Sequence, residues 1–134
     1  MTHQSIKGMQ DQSHSGKLQF SDNPLLVDLE KEAKRKGLKY VDQMTTDNGA
    51  VYKGYLDSEV REGPGIQIWP NGDKYEGEWR QDMANGQGKF WHVDGDLYEG
   101  QWKDDQANGK GIYRYANGTV YDGYWKHHLQ DGEG

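Results

Sequence analysis

The sequence contains no cysteine. That excludes a disulfide framework, a thiolate metal site and any lipid attached through sulfur. Long apolar runs are missing too. No window approaches the ~18 apolar residues of a membrane-spanning helix, and the mean hydropathy is −1.17. The first residues, MTHQSIKGMQ, hold no apolar signal-type segment, and Thr2 stands where myristoylation needs glycine. A cytoplasmic location is the expectation. Hydrophobic residues make up 32% of 134 residues, which is too little for a thick aliphatic core. Basic charge is scarce where the rest of the chain is acidic. Residues 49–134 hold nine Lys/Arg against fifteen Asp/Glu, so the whole net charge of −6 lies there, while residues 1–48 balance at seven of each. An acidic surface repels phosphate, so nucleic acid is not an expected partner.

Aromatic residues and glycine are abundant: five Trp, nine Tyr, two Phe and nineteen Gly. Their positions repeat. Tyr52, Tyr75, Tyr98 and Tyr121 are each 23 residues apart, as are Gly54, Gly77, Gly100 and Gly123. Trp79, Trp102 and Trp125 share one phase, with Leu56 in the first copy, and the pairs Gly63/Gly65, Gly86/Gly88, Gly109/Gly111 and Gly132/Gly134 keep the same interval. The units are 49–71, 72–94, 95–117 and a truncated 118–134. A fixed period of this length marks a repeat architecture in which each unit buries its neighbour's face.

Tyr-x-Gly-x-Trp has the period of a strand, which places Tyr75, Gly77 and Trp79 on one face and Glu76, Glu78 and Arg80 on the other. A glycine between two aromatics leaves room for a ring. A second strand follows in IQIWP, KFWHV and IYRYA, from 66, 89 and 112, and Asn-Gly or Asp-Gly comes after each. Those dipeptides favour a two-residue type I′ turn. Each unit therefore reads as strand, Gly-x-Gly loop, strand and tight turn. The expected fold is mainly β: an elongated single antiparallel sheet of stacked 23-residue hairpins, with one N-terminal α-helix. Tyr75, Trp79, Tyr98, Trp102, Tyr121 and Trp125 are its predicted core. The segment 42–49 carries the phase of a second strand, and the chain stops at Gly134, where the next second strand is expected to start. The expectation is a partner over that edge or a continuing array.

The chain before the repeats divides in two. Residues 1–20 are polar and read as a flexible arm. Residues 21–41 read as an amphipathic helix and connector, with Asn23 as cap, Pro24 at the first position, Leu25, Leu26, Leu29 and Ala33 as apolar stripe, and Gly37 as stop. Lys34, Arg35 and Lys36 suit its C-terminal dipole. The stripe is expected to cover the sheet.

At the repeats the chain resembles the MORN-repeat family (membrane occupation and recognition nexus). The resemblance rests on YEGEW at 75–79 and YEGQW at 98–102, each followed by NGQG or NGKG and by Asp/Asn-Gly, and covers about 49–134. The first unit departs from it, with Leu56 for Trp and Pro64 in EGPG, and Asn85 and Asn108 replace the usual His. The resemblance implies an elongated scaffold that sits beside enzymes without being catalytic. It also implies settings such as cytoskeletal and ciliary assemblies.

Chemistry-bearing constellations are sparse. The Gly-x-x-x-x-Gly stretches from 49, 72, 95 and 118 do not continue as Lys-Ser/Thr, and the repeat explains their glycines. His92, His127 and His128 lack a spaced companion set, while Asp94, Asp96 and Glu99 read as a solvated turn. The only Ser in the repeats is Ser58, so no acyl-transfer nucleophile is in place. No enzyme activity, cofactor, metal or small-molecule ligand is expected. By alternation Trp69, Phe90, His92, Tyr113 and Tyr115 share one face of the second strands, with Ile66, Ile68, Trp91, Val93, Ile112 and Ala116 on the other. A sheet with one wet side should not be apolar on both. The first set is the predicted partner-binding surface for a protein in a larger assembly. The alternatives are membrane attachment through phospholipid headgroups, by the basic run Lys31, Lys34, Arg35, Lys36 and Lys39, or a regulatory segment of a lipid kinase or methyltransferase.

Overall fold

The structure is a computed structural model that describes residues 24–126 and 129–131. The expected arm at 1–20, the cap at Asn23 and His127 and His128 lie outside the described residues. Pro24 opens α1 (Pro24–Arg35), where a missing N–H costs nothing. Gly37, at φ +78°, closes it. Its N–H donates to the carbonyl of Lys34 and that of Leu38 to Ala33, each at 3.0 Å, so two otherwise orphaned carbonyls are satisfied.

Among the described residues nine strands follow: β1 (Lys39–Thr45), β2 (Val51–Asp57), β3 (Val60–Ile68), β4 (Lys74–Arg80), β5 (Met83–Trp91), β6 (Leu97–Lys103), β7 (Gln106–Arg114), β8 (Val120–Lys126) and β9 (Leu129–Asp131). They form one antiparallel sheet in sequence order, so every neighbour in the chain is a neighbour in space. Among the described residues this is the mainly β repeat sheet with one helix that the periodicity predicts. β1 begins at Lys39, three residues ahead of the expected start.

Two local assignments need correction, and one cause explains both. The Gly-x-Gly segments are not loops: Gly63–Gly65, Gly86–Gly88 and Gly109–Gly111 lie inside β3, β5 and β7. The tight two-residue turns fall elsewhere, at Gln81-Asp82 and Asp104-Asp105, where both residues take positive φ (49° and 73°, 49° and 71°) as a type I′ turn requires. At Asn71-Gly72 only the glycine is left-handed, at φ +102°. The Gly72 N–H reaches the Trp69 carbonyl and the Trp69 N–H reaches the Asp73 carbonyl, both at 2.9 Å, so this is a three-residue loop. The final strand accordingly starts at Leu129, before the last Gly-x-Gly rather than after it.

The glycines meet across the sheet. Gly54, Gly65, Gly77, Gly88, Gly100, Gly111 and Gly123 pair in register from β2 to β8. The ring of Tyr75 lies over this row. A Cβ on Gly88 would fall 2.3–2.5 Å from its phenol, and one on Gly77 would strike the Gly88 backbone at 2.5 Å. The ladder is a trough for tyrosines. Each phenol then donates to the carbonyl three residues on: Tyr52 to Tyr55, Tyr75 to Glu78, Tyr98 to Gln101 and Tyr121 to Tyr124.

Candidate functional site

The face above the glycine row is almost wholly aromatic. Tyr52, Trp79, Tyr75, Trp102, Tyr98, Trp125 and Tyr121 form an unbroken edge-to-face chain, with centroids 5.1–5.6 Å apart and planes at 79–88°. Such pairs contribute about 0.5–1.5 kcal/mol each beyond the area they bury. The six predicted core rings all belong to this cluster, five of them buried and Tyr121 partly so. Trp79 and Trp102 also donate their indole N–H to the carbonyls of Gly65 (3.3 Å) and Gly88 (3.2 Å). The buried Nε1 of Trp125 has no such acceptor.

The five predicted partner-binding residues lie beside this chain on the same face. Cross-strand register puts them there, since Phe90 pairs with Tyr75 and Tyr113 with Tyr98. Trp69 meets Phe90 at 5.4 Å, Phe90 meets His92 at 4.6 Å, His92 meets Tyr113 at 6.0 Å and Tyr113 meets Tyr115 at 4.6 Å. Phe90 and Tyr113 also touch Trp102 and Trp125, at 6.0 and 5.6 Å. Trp69, Phe90, His92 and Tyr113 are half-buried, and Tyr115 is exposed. One cavity, of about 350 Å³, opens between Phe90, His92, Trp102, Tyr113 and Trp125; a second, of about 240 Å³, opens between Trp69, Trp79, Ala84, Phe90, Trp102 and Asp105.

Carboxylates fasten the two margins of this face. At one margin Asp73 accepts the Val93 N–H (2.8 Å), and Asp96 accepts the Ala116 N–H (2.7 Å) and the Tyr113 hydroxyl (2.8 Å). At the other Asp82 accepts the Arg61 N–H (2.9 Å) and Asp105 the Ala84 N–H (2.7 Å). Asp82 and Asp105 each bridge one unit to the next, whereas Asp73 and Asp96 tie together the two ends of their own units. Much of the acidic charge therefore has a structural use. The Ala116 N–H, then the Tyr113 hydroxyl, hold the Asp96 carboxyl below its ordinary value, and the Arg61 guanidinium does the same for Asp82. Burial pushes the phenols of Tyr52, Tyr75 and Tyr98 up, with Tyr98 raised to about 12.

The reverse face carries the helix. Leu26 and Leu29 pack on Ile66, Ile68 and Tyr40, and the Tyr55 hydroxyl donates to Glu30 at 2.9 Å. This helix explains the departures of the first unit. In later units the residue in Tyr55's place is Glu78 or Gln101, whose side chain accepts the N–H of Gln87 or Lys110 at 2.8 Å. Tyr55 turns to the helix instead, and Pro64, in the place of Gln87, has no N–H to satisfy. Beyond the helix, Lys74 lies over the Trp91 ring at 4.8 Å and Val93 is 63% exposed. Among the described residues no three His, Asp or Glu converge as a metal site, and no helix is long and apolar enough to cross a membrane.

Sequence reasoning missed Arg61, Asp82 and Asp105. Asp82 and Asp105 are one period apart, which is a visible signal. Arg61 has Ala84 and Ala107 at its equivalent positions, so no repeat pattern reveals it.

The MORN repeat family model matches residues 60–74, 75–97, 98–120 and 121–134. The chain belongs to the MORN-repeat family. Such repeats are in general non-catalytic interaction modules. No curated protein matches the chain. The match leaves out β2, whose Leu56 stands where later units carry Trp, although the strand is built like its successors.

Proposed function

We propose that the protein is a non-enzymatic protein-interaction scaffold, a structural subunit or segment of a larger assembly. Its aromatic face receives a segment of a protein partner along Trp69, Phe90, His92, Tyr113 and Tyr115. One observation carries this reading: those five rings form a continuous, partly exposed row beside two cavities, on the face that the helix leaves uncovered. Half-buried rings with polar tips suit protein contact. Family usage supports a cytoskeletal or ciliary setting.

The test is stepwise extraction of the tagged protein from its cells, repeated with His92→Ala/Tyr115→Ala. Retention through non-ionic detergent, release when the cytoskeleton is dismantled and loss of retention in the variant support the scaffold. A folded variant retained as well as the parent sinks the ring row. Lys31, Lys34, Arg35, Lys36 and Lys39 are all exposed, which favours membrane attachment by α1 as the second reading. Release by detergent alone would select it.

A further inference from the structure

The first unit contains a bound guanidinium of its own. The Arg61 guanidinium carbon sits 4.2 Å above the centre of the Trp79 ring. Its Nε donates to the Asp82 carboxylate at 2.7 Å and one Nη to the Asp82 carbonyl at 2.7 Å, while the other Nη reaches Gln67. A planar cation is thus stacked on an indole and tied to a carboxylate, an arrangement that suits arginine better than lysine.

One period later the receptor is rebuilt without the arginine. Trp102 takes the place of Trp79, Asp105 that of Asp82 and Ala84 that of Arg61. The backbone frame is retained. Asp82 N–H donates to Arg61 C=O and Arg61 N–H to the Asp82 carboxylate, each at 2.9 Å; Asp105 N–H donates to Ala84 C=O at 2.9 Å and Ala84 N–H to the Asp105 carboxylate at 2.7 Å. The truncated side chain opens onto the cavity of about 240 Å³ that Ala84, Phe90, Trp102 and Asp105 line on one side and Arg61, Gln67 and Trp79 of the preceding period on the other. Phe90 replaces Gln67, so the wall gains a ring. Among the described residues no Lys or Arg is ion-paired to Asp105.

From this internal template we infer that the pocket formed by Ala84, Phe90, Trp102 and Asp105 binds an arginine side chain of a protein partner. The guanidinium stacks on the Trp102 indole and donates to the Asp105 carboxylate and carbonyl, as Arg61 does to Trp79 and Asp82. The acidic repeats add a field that draws a basic segment to this face. The inference rests on the scaffold reading and gives its groove one anchor.

The experiment is NMR titration of the full chain with Nα-acetylarginine amide, in parallel with the acetyl amides of lysine and trimethyllysine. The signals followed are the Trp102 indole N–H and the Ala84 methyl. The expected result is a saturable shift at both, tightest with arginine and weakened by salt. Asp105→Asn keeps an oxygen for the Ala84 N–H but loses the charge, and binding falls about tenfold, which is ~1.4 kcal/mol. Ala84→Arg fills the pocket from within and abolishes the response, and the Trp102 indole N–H moves towards the position of Trp79. Absence of a saturable shift overturns the inference, as does tightest binding of trimethyllysine, undiminished binding to a folded Asp105→Asn, or continued binding to Ala84→Arg. If arginine amide fails to bind while the protein still joins its assembly, the pocket falls and the scaffold stands. If the amide binds but no assembly retains the protein, the scaffold falls and the pocket stands.

Discussion

Tyr75 stands edge-to-face with Trp102 of the next unit, ring centroids 5.2 Å apart and planes inclined by 83°. The contact crosses a repeat boundary, so the aromatic chain couples each unit to the following one. Trp102 also meets Tyr98 at 5.3 Å and is buried. Trp102→Ala should therefore cost about 3–5 kcal/mol, as large core truncations do. Urea denaturation measures it, and an unchanged midpoint would remove Trp102 from the core. Trp102→Phe should also cost about 0.5–1.5 kcal/mol more than Trp125→Phe. Only the Trp102 indole N–H has a carbonyl to lose.

The glycines separate two physical causes. Gly88 needs no unusual φ, but a Cβ there would lie 2.3 Å from the Tyr75 hydroxyl. Gly118 has nothing within 4 Å of its Cβ position, yet its φ is +97°. Gly88→Ala should destabilise by about 1–3 kcal/mol through crowding, and Gly118→Ala by about 1 kcal/mol through backbone strain. Replacing Tyr75 by Leu should relieve the first and leave the second untouched. A double-mutant cycle that shows no coupling between positions 75 and 88 would contradict the trough.

The repeat, the sheet and the six core rings were legible because the 23-residue phases of Tyr, Gly and Trp agree independently. Turn placement was not. Asn-Gly carries the usual two-residue turn signal, whereas Gln81-Asp82 and Asp104-Asp105 take left-handed conformations without glycine. Gly-x-Gly looked like loop chemistry, although Gly88 serves a ring on the neighbouring strand. Alternation found the row of Trp69, Phe90, His92, Tyr113 and Tyr115 but not its contact with the core, because that depends on the register pairing Phe90 with Tyr75. Arg61 was missed for the opposite reason. A pattern common to the units passes over a side chain that stands at its phase in the first unit alone.

The two ends of the pH range should be limited by different groups. Asp82 and Asp96 have folded pKa values below the ordinary carboxylate range, held there chiefly by Arg61 and by the Ala116 N–H. Their contribution is present above pH ~4 and is lost as pH falls through the lowered folded values. Tyr98 is raised to about 12 by burial, and Tyr52 and Tyr75 are raised by the same cause. Their contribution is intact below pH ~10 and disappears as pH rises through the folded values. The melting temperature should be flat between these limits and fall on both sides. Phenolate absorbance should appear together with the loss of sheet structure. Titration of these tyrosines near pH ~10 in a still-folded protein would refute their burial.

The helix offers a test of how independently the two faces hold together. Leu26 is 1% exposed and sits against Ile66, while the aromatic chain belongs to a separate apolar cluster that, among the described residues, includes none of α1. Leu26→Ala removes the main apolar tie, a truncation worth about 2–5 kcal/mol at a buried site. That loss should fall on docking of the helix rather than on the sheet, because sub-global opening follows local contact density. Hydrogen exchange should show α1 amides losing protection while those of β4–β7 keep theirs. The Trp102 indole resonance should stay where it is. If β4–β7 lose protection in step with α1, the helix is part of the cooperative core and the two faces are one folding unit.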